Sequence, residues 1–265
     1  MLARRTAVSD FAAWNERWQA PFGPTWGSEL PIEERLSEDV ARRLGPFAFQ
    51  PNNTTRAVEY PWAFGMVQVE GRSVLEIGGA LSGFQFVLAR SGADVTNVDP
   101  FVDYGSEGEL PGDPEALHAV LNRIFGTAVR LERSTLAEAD LDSNSFDCAF
   151  CISTLEHVPE DEIRRMTHEV RRVLRPGGRF VVTVDLFLDV APFAQAQRNR
   201  WGTNISIRDL VEQSGMGLVV GDRRELMGFP EFDPERIRAR LDDYYVGEWY
   251  PTLVQMLVLE KDADG

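Results

Sequence analysis

The sequence predicts an α/β fold built on a doubly wound, mostly parallel sheet of seven strands. From about residue 72 onward, short apolar runs alternate with segments of helical period, which is typical of parallel strands joined by helices. A glycine-rich turn follows the first of these runs, as is common in sheets of this kind. The predicted strands are residues 72–77, 93–98, 128–131, 146–152, 179–186, 218–220 and 253–259.

Local signals mark where the connecting helices begin and end. Asp113 is a suitable N-cap and Pro114 suits the first helical position, so a helix is expected from there to about residue 125. Pro159 marks the start of a longer helix, and the RPGG stretch at 175–178 is expected to end it. Each of these helices lies between two predicted strands, as the fold class requires.

Three segments fit the alternation of strands and helices poorly. Residues 1–70 are expected to form an N-terminal helical cap, ahead of the sheet domain over 71–265. Within that domain, the inserted loops near 187–205 and 222–249 are long and rich in aromatic residues and arginine. Because long loops in compact domains usually carry function, we interpret all three segments as the cover of an enclosed, partly apolar pocket.

Charge and hydropathy argue against several classes of partner. The formal net charge is −15, whereas nucleic-acid binding relies on clustered Lys and Arg, so no nucleic-acid partner is expected. The sequence contains neither a signal-peptide pattern nor an apolar run of about 18 residues, so we expect a cytoplasmic protein without a membrane partner. Cys148 and Cys151 would point to opposite faces of a strand, which argues against a disulfide between them.

The stretch VLEIGGALSG at 74–83 combines a buried strand with a glycine-rich turn. Gly78, Gly79 and Gly83 carry no Cβ, so a ligand can approach the backbone of this turn closely. The turn is also compatible with a dinucleotide-binding fingerprint, in which Asp99 at the end of the second strand would bind a ribose. A plain strand-to-helix connection is a further alternative.

Two acidic residues favour a ligand other than a dinucleotide. Glu76 stands at the end of the first strand, where its carboxylate would repel a pyrophosphate and attract a cation. Asp99 closes the second strand and would face the same cleft. A ligand with a positive charge, a ribose diol and no phosphate would satisfy both carboxylates. S-adenosylmethionine has an ammonium group, a sulfonium group and a ribose.

Four motifs in this order resemble those of the class I S-adenosylmethionine-dependent methyltransferases. They are VLEIGG with the glycine of 74–83, VTNVD at 95–99, NSFDCAFCISTLEHV at 144–158 and VRRVLRPGGRFVV at 170–182. The resemblance implies a Rossmann-like methyltransferase fold. It also implies S-adenosylmethionine as the cofactor, with S-adenosylhomocysteine as its product.

The resemblance also implies roles for individual residues of the first two motifs. Glu76, Gly78, Gly79 and Gly83 correspond to the turn that lies against the methionine part of the cofactor. Asp99 corresponds to the acid that accepts hydrogen bonds from both ribose hydroxyls. The turn departs from the usual E-x-G-x-G-x-G form because it is one residue longer, so it is expected to bulge.

Further contacts are expected around the adenine ring and the methionine carboxylate. Thr135 and Leu136 fall where the family contacts the adenine amino edge, although Thr135 stands where an acidic residue is frequent. Phe101 is expected either to pack against the adenine ring or to belong to the core. Arg56 and Tyr60 are candidates to bind the methionine carboxylate, with a solvated arginine and a core tyrosine as the alternatives.

The segment after the fourth strand is expected to line the cleft between cofactor and acceptor. Ser153 begins this segment and is a candidate cofactor contact. His157 is the candidate general base, because the unperturbed pKa of histidine lies near neutrality. The alternative is that His157 is a packed wall residue. No metal is expected, because Asp185 and Asp189 offer too few oxygen ligands at the strand ends.

These observations predict methyl transfer from S-adenosylmethionine to a hydroxyl, carboxyl or amine of a small molecule. Secondary metabolism is one setting for such an enzyme. Three alternatives stay open: an NAD-dependent dehydrogenase, a non-catalytic module that binds S-adenosylmethionine, and a protein methyltransferase. The sequence specifies neither the acceptor nor the oligomeric state.

Overall fold

A single seven-stranded sheet organises the chain. The computed structural model describes residues 7–20, 30–49, 53–102, 112–248 and 250–263. The strands are β1 (Ser73–Ile77), β2 (Asp94–Val98), β3 (Arg130–Glu132), β4 (Phe146–Ile152), β5 (Leu174–Phe187), β6 (Gly217–Val220) and β7 (Thr252–Glu260).

The strand order is β3-β2-β1-β4-β5-β7-β6. Strands β1 to β5 pair in parallel, whereas β7 runs antiparallel to both of its neighbours, β5 and β6. This arrangement confirms the predicted α/β class with a mostly parallel sheet of seven strands. Because β1, β2, β4 and β5 are parallel, the residues that follow them lie at one edge of the sheet, called the carboxyl edge below.

Ten α-helices and four short 3₁₀ helices occur in the described residues. The α-helices are α1 (Ala7–Asp10), α2 (Ala12–Trp18), α3 (Ile32–Arg35), α4 (Glu38–Leu44), α5 (Arg56–Gly65), α6 (Gly83–Arg90), α7 (Pro114–Phe125), α8 (Glu160–Val173), α9 (Ile207–Ser214) and α10 (Pro234–Arg238). The 3₁₀ helices are Pro46–Phe49, Leu155–His157, Arg223–Glu225 and Leu241–Asp243.

Alternating side chains along the strands build a separate apolar core on each face of the sheet. Val74 and Cys148 pack in the core that the N-terminal helices, α6 and α7 cover. Leu75 and Cys151 pack in the core that α8 and α9 cover. The two cysteines are free, buried and on opposite faces, as the period of two in a strand predicts.

The helix signals in the sequence act as expected at α7. The Asp113 side chain accepts a hydrogen bond from the Ala116 backbone N–H at 3.2 Å, and Pro114 is the first helical residue. Helix α6 begins in the same way, because the Ser82 hydroxyl accepts from the Phe84 N–H at 3.1 Å. Each cap satisfies a backbone donor that the first helical turn leaves without a partner.

The RPGG stretch differs from its predicted role. Helix α8 ends at Val173, and β5 already begins at Leu174, so residues 175–178 belong to the strand. Leu174 pairs with Phe146, and the register then shifts before Cys148 pairs with Arg179. This irregularity gives the backbone room for Gly177 at φ +74°, so the glycines serve a bulge within the sheet.

The segments before β1 and between the later strands differ in their secondary structure. The described residues before β1 contain helices α1 to α5 and one 3₁₀ helix but no strand. The 187–205 loop has neither helix nor strand after β5 ends, whereas the 222–249 loop contains α10 and two short 3₁₀ helices. Within the ranges described, no helix combines the length and apolar character needed to cross a membrane.

We predict that Gly83→Ala destabilises the protein by about 1–3 kcal/mol, as overpacking of a tight site does. A Cβ at Gly83 would lie 2.6 Å from the backbone carbon and oxygen of Pro46, so a whole helical turn would have to move. Gly65→Ala is the matched control, because no atom lies within 4 Å of its Cβ position. Urea unfolding measures both variants, and a Gly83→Ala protein as stable as the wild type would contradict this packing.

Candidate functional site

The glycine turn after β1 is shaped by contacts with the protein itself. Gly78 has φ +70°, and a Cβ there would lie 2.2 Å from the Thr154 side chain. A Cβ at Gly79 would lie 2.8 Å from the side chains of Glu76 and Asn97. Glycine is therefore required at both positions, for backbone conformation at the first and for close approach of side chains at both.

Ala80, in the middle of the turn, adopts a left-handed conformation with φ +42°. Its carbonyl accepts hydrogen bonds from the side chains of Asn97 at 2.9 Å and Gln85 at 3.1 Å. The ring Nε2 of His118 lies 2.8 Å from the side-chain oxygen of Gln85. Burial lowers the pKa of this histidine to about 4, so its ring is neutral. A neutral, buried polar network thus holds the bulge that the sequence predicts.

Glu76 and Asp99 lie at the ends of the adjacent strands β1 and β2, and both are buried. Asp99 accepts hydrogen bonds from the backbone N–H groups of Ala80 and Phe101, each at 2.7 Å. Glu76 accepts from the Ser82 hydroxyl at 3.2 Å, while its second oxygen has no partner. Burial raises the pKa of Glu76 to about 8 and raises that of Asp99 as well.

A second group of polar residues lies at the ends of β4 and β5. This group, called the carboxyl-edge cluster below, consists of Arg56, Glu59, Ser153, Glu156, Thr183, Asp185 and Tyr250. Glu59 on α5 is fully buried and accepts hydrogen bonds from Ser153 at 2.7 Å and Thr183 at 2.6 Å. Arg56, one helical turn earlier, forms an ion pair with Glu59 and donates to Ser153.

Asp185 and Glu156 form the acidic part of the carboxyl-edge cluster. Asp185 accepts a hydrogen bond from the Tyr250 hydroxyl at 2.8 Å, and its backbone N–H donates to Glu156 at 3.1 Å. The second carboxyl oxygen of Glu156 has no partner although the residue is only 1% exposed. Burial, followed by the charge of Glu156, raises the pKa of Asp185 to about 8, and burial raises the pKa of Glu156 to about 7.

His157 lies beside this cluster, in the 3₁₀ helix after β4. Its Nδ1 contacts the backbone carbonyl of Trp201 in the 187–205 loop. A carbonyl only accepts hydrogen bonds, so Nδ1 carries the proton and Nε2 keeps a free lone pair. Burial lowers the pKa of His157, which favours the neutral ring.

The remaining predicted site residues have different surroundings. Tyr60 is buried, its ring stacks on Phe84 with 5.2 Å between centroids, and its hydroxyl bonds to Ser82. Leu136 is buried in the core under α8. Phe101 is half-buried at the edge of the other core, and Thr135 donates to Glu138 at 2.9 Å.

The structure thus groups the predicted residues into two centres and adds others. Ser153 and Arg56 are in direct contact, but their partner Glu59 was missed from the sequence, as were Glu156 and Tyr250. Two signals could have indicated the cluster. Glu59 is an acidic residue on an otherwise apolar helix face, and Asp185 interrupts an apolar run of strand length.

Comparisons with known proteins give a family for the central part of the chain. Residues 75–182 match the family described as "Methyltransferase domain". An uncharacterized methyltransferase from Mycobacterium sp. (strain KMS) is 31% identical over 163 residues, covering 61% of this chain and 56% of the relative. A ubiquinone biosynthesis O-methyltransferase from Paracidovorax citrulli is 29% identical over 130 residues, covering 49% of this chain and 50% of the relative. The matches therefore span about half the length of these relatives.

Solved structures share the fold at low sequence identity. An S-adenosylmethionine-dependent methyltransferase from Mesorhizobium loti has a TM-score of 0.50 and 18% identity, covering 77% of this chain and 97% of that chain. The [4+2]-cyclase SpnF has a TM-score of 0.56 and 16% identity, covering 91% of this chain and 98% of that chain. The fold is therefore compatible with more than one chemistry, and the residues of the site must decide between them.

We predict that the free energy of unfolding falls as pH rises and that Glu156→Gln weakens this dependence. A carboxyl group whose pKa is raised on folding stabilises the protein below its unfolded pKa, and this stabilisation is lost as pH rises through about 7. Between pH 5.5 and 8, the Gln variant should lose roughly 1–2 kcal/mol less than the wild type. Urea unfolding at both pH values measures the difference.

Glu160→Gln provides the control for this measurement, because Glu160 is exposed at the start of α8. It should retain the pH dependence of the wild type. An unchanged pH dependence in Glu156→Gln would show that the Glu156 carboxyl is already ionised in the folded protein.

Proposed function

We propose that this chain is a class I S-adenosylmethionine-dependent methyltransferase and that it transfers a methyl group to a hydroxyl, carboxyl or amine of a small molecule. The match of residues 75–182 to the family described as "Methyltransferase domain" supports this proposal. The observation that carries this proposal is the pair of buried carboxyl groups, Glu76 and Asp99, at the ends of two adjacent parallel strands. S-adenosylmethionine supplies the reactive methyl group when it is bound.

The glycine turn and its two acids fit this cofactor. Each oxygen of Asp99 accepts one backbone N–H and retains a lone pair, which suits two ribose hydroxyls. Glu76 has a buried oxygen without a partner, which suits a donor that carries positive charge. A pyrophosphate offers neither hydrogen-bond donors nor positive charge, so the position of Glu76 argues against the dinucleotide alternative.

The carboxyl-edge cluster and the aromatic residues above it are candidates for the acceptor side. The rings of Trp201 and Tyr250 stack with 4.8 Å between centroids, and Tyr250 also contacts Phe187. Such a wall favours a small acceptor with an apolar body. The net charge of −15 makes a nucleic-acid acceptor unfavourable.

His157 stays our candidate for the general base. Its free Nε2 lone pair and neutral ring suit it to take a proton from the acceptor. Positioning the acceptor in line with the methyl group and excluding water supply the rest of the catalysis. We further infer that Arg56 acts mainly on Glu59 and Ser153, and that the cofactor carboxylate is a second partner.

We predict that Asp99→Asn weakens binding of S-adenosylmethionine and S-adenosylhomocysteine by roughly tenfold or more, because hydrogen bonds to charged groups are stronger than those to neutral groups. Isothermal titration of the full chain with both ligands and with NADH measures this. Asp94→Asn is the matched control, since Asp94 begins the same strand, is exposed and lies 3.5 Å from Arg130. It should bind like the wild type.

Three results would change the proposal. Binding of NADH without binding of S-adenosylhomocysteine would support the dehydrogenase alternative. Wild-type affinity in Asp99→Asn would remove Asp99 from the site. A protein that binds S-adenosylmethionine tightly, but forms no S-adenosylhomocysteine with any small acceptor tried, would support a non-catalytic module or a protein substrate.

A further inference from the structure

The carboxyl-edge cluster contains more buried acid than buried base. It holds the carboxyl groups of Glu59, Glu156 and Asp185, but the guanidinium of Arg56 is its one cation. Arg56 forms its ion pair with Glu59. Across the described ranges, no cationic side chain lies within 4.0 Å of the carboxyl group of Asp185 or Glu156. Burial raises the pKa of both acids and outweighs the more distant charge of Arg56, which acts to lower it. Buried acids without an adjacent counter-charge are costly, so a proton or a cation stabilises both.

The hydrogen-bond donors around the two acids leave part of their acceptor capacity unused. The Ser153 hydroxyl has one proton, which it donates to Glu59 at 2.7 Å, so its 3.5 Å contact with Asp185 is no more than a weak one. Tyr250 satisfies the other Asp185 oxygen. One carboxyl oxygen of Glu156 accepts a hydrogen bond from the Asp185 backbone N–H. The other carboxyl oxygen of Glu156 has no partner. The buried cluster thus contains one acceptor oxygen without a partner, on Glu156, and one with only a weak contact, on Asp185.

We propose that the methyl acceptor carries a protonated amine, and that Asp185 and Glu156 bind this ammonium group at the carboxyl ends of β4 and β5. The inference rests on the proposed function, because the amine is taken to be the acceptor of the methyl group in that reaction. An ammonium group supplies both of the missing features, a positive charge and several N–H donors. Where no cation is present, protons take its place, in agreement with the raised pKa values of both acids.

Other acceptor classes fit this place less well. A carboxylate acceptor would add a further negative charge to a buried acidic site. A neutral hydroxyl supplies one donor and no charge. A metal ion would need more ligands than two acids offer, and the described part of the chain contains no group of three metal-binding side chains.

The surroundings of the two acids suit the body of such an amine. Tyr250, which bonds to Asp185, stacks on Trp201 and lies 5.7 Å from the Phe187 ring. The ammonium site therefore has an aromatic wall directly beside it. An amine with an aromatic or aliphatic body would place its charge on the acids and its body on this wall.

The test is isothermal titration of the full chain saturated with S-adenosylhomocysteine, with EDTA present. The probes are four matched sets of small molecules, with butyl, cyclohexyl, 2-phenylethyl and 2-indolylethyl groups. Each set consists of an amine, an alcohol and a carboxylate with the same apolar group. At least one amine should bind tenfold or more tightly than its matched alcohol and carboxylate. If no amine is preferred while S-adenosylhomocysteine binds, the inference is wrong and the proposed function stands. If S-adenosylhomocysteine itself does not bind, the proposed function fails.

Variants assign the preference to the two acids. Asp185→Asn and Glu156→Gln should each weaken binding of the preferred amine by tenfold or more, with unchanged affinity for S-adenosylhomocysteine, which also shows that each variant is folded. Asp189→Asn should behave like the wild type, because Asp189 is exposed and bonds only to Asn199 in the described structure. Loss of S-adenosylhomocysteine binding in the acid variants would assign the acids to the cofactor ammonium and overturn the proposal, as would an amine preference that survives both substitutions.

Discussion

The buried carboxylate of Glu59 joins the N-terminal helices to the carboxyl edge of the sheet. It lies on α5, and it accepts hydrogen bonds from Ser153 after β4 and from Thr183 within β5. Because the Glu59 side chain is fully buried, loss of these donors would leave buried carboxylate oxygens without hydrogen bonds, which is costly. Helix α5 also places the Tyr60 ring against Phe84 of α6. The helix that follows the glycine turn is therefore packed against α5 as well.

Much of the fold could be predicted from the sequence because its signals are local. An apolar run of strand length, a cap such as Asp113 and a glycine turn each depend on a few neighbouring residues. The bulge in the glycine turn could be predicted from its length, but its support by Asn97 and Gln85 could not, since these residues lie outside the motif. The sequence predicts that the RPGG stretch ends helix α8, yet residues 175–178 lie within β5. The two outcomes could not be told apart because the same glycines suit both a helix end and a bulge at the start of a strand.

The carboxyl-edge cluster could not be predicted from the sequence, because its members are far apart along the chain. Glu59 and Thr183 are 124 positions apart, and only the pairing of strands brings them together. The local pattern marks Glu59 as an acid on an apolar helix face, but it does not identify partners that are so distant in the sequence. Asp185 stood out as an acid in an apolar strand, yet its meaning depended on Tyr250 and Glu156, which come from other elements.

Methyl transfer from a sulfonium moves a positive charge onto the acceptor, and the distribution of acids along the carboxyl edge suits such a movement. Glu76 and Asp99 stand at the ends of β1 and β2, whereas Glu156 and Asp185 stand beyond β4 and within β5. When a cationic cofactor and a cationic acceptor displace the protons from these acids, negative charge is therefore available on both sides of the place where the reaction is proposed to occur. Because at least one oxygen of each acid is already held by a hydrogen bond in a buried position, little reorganisation is needed as the charge moves, which is the condition under which electrostatic stabilisation is most effective.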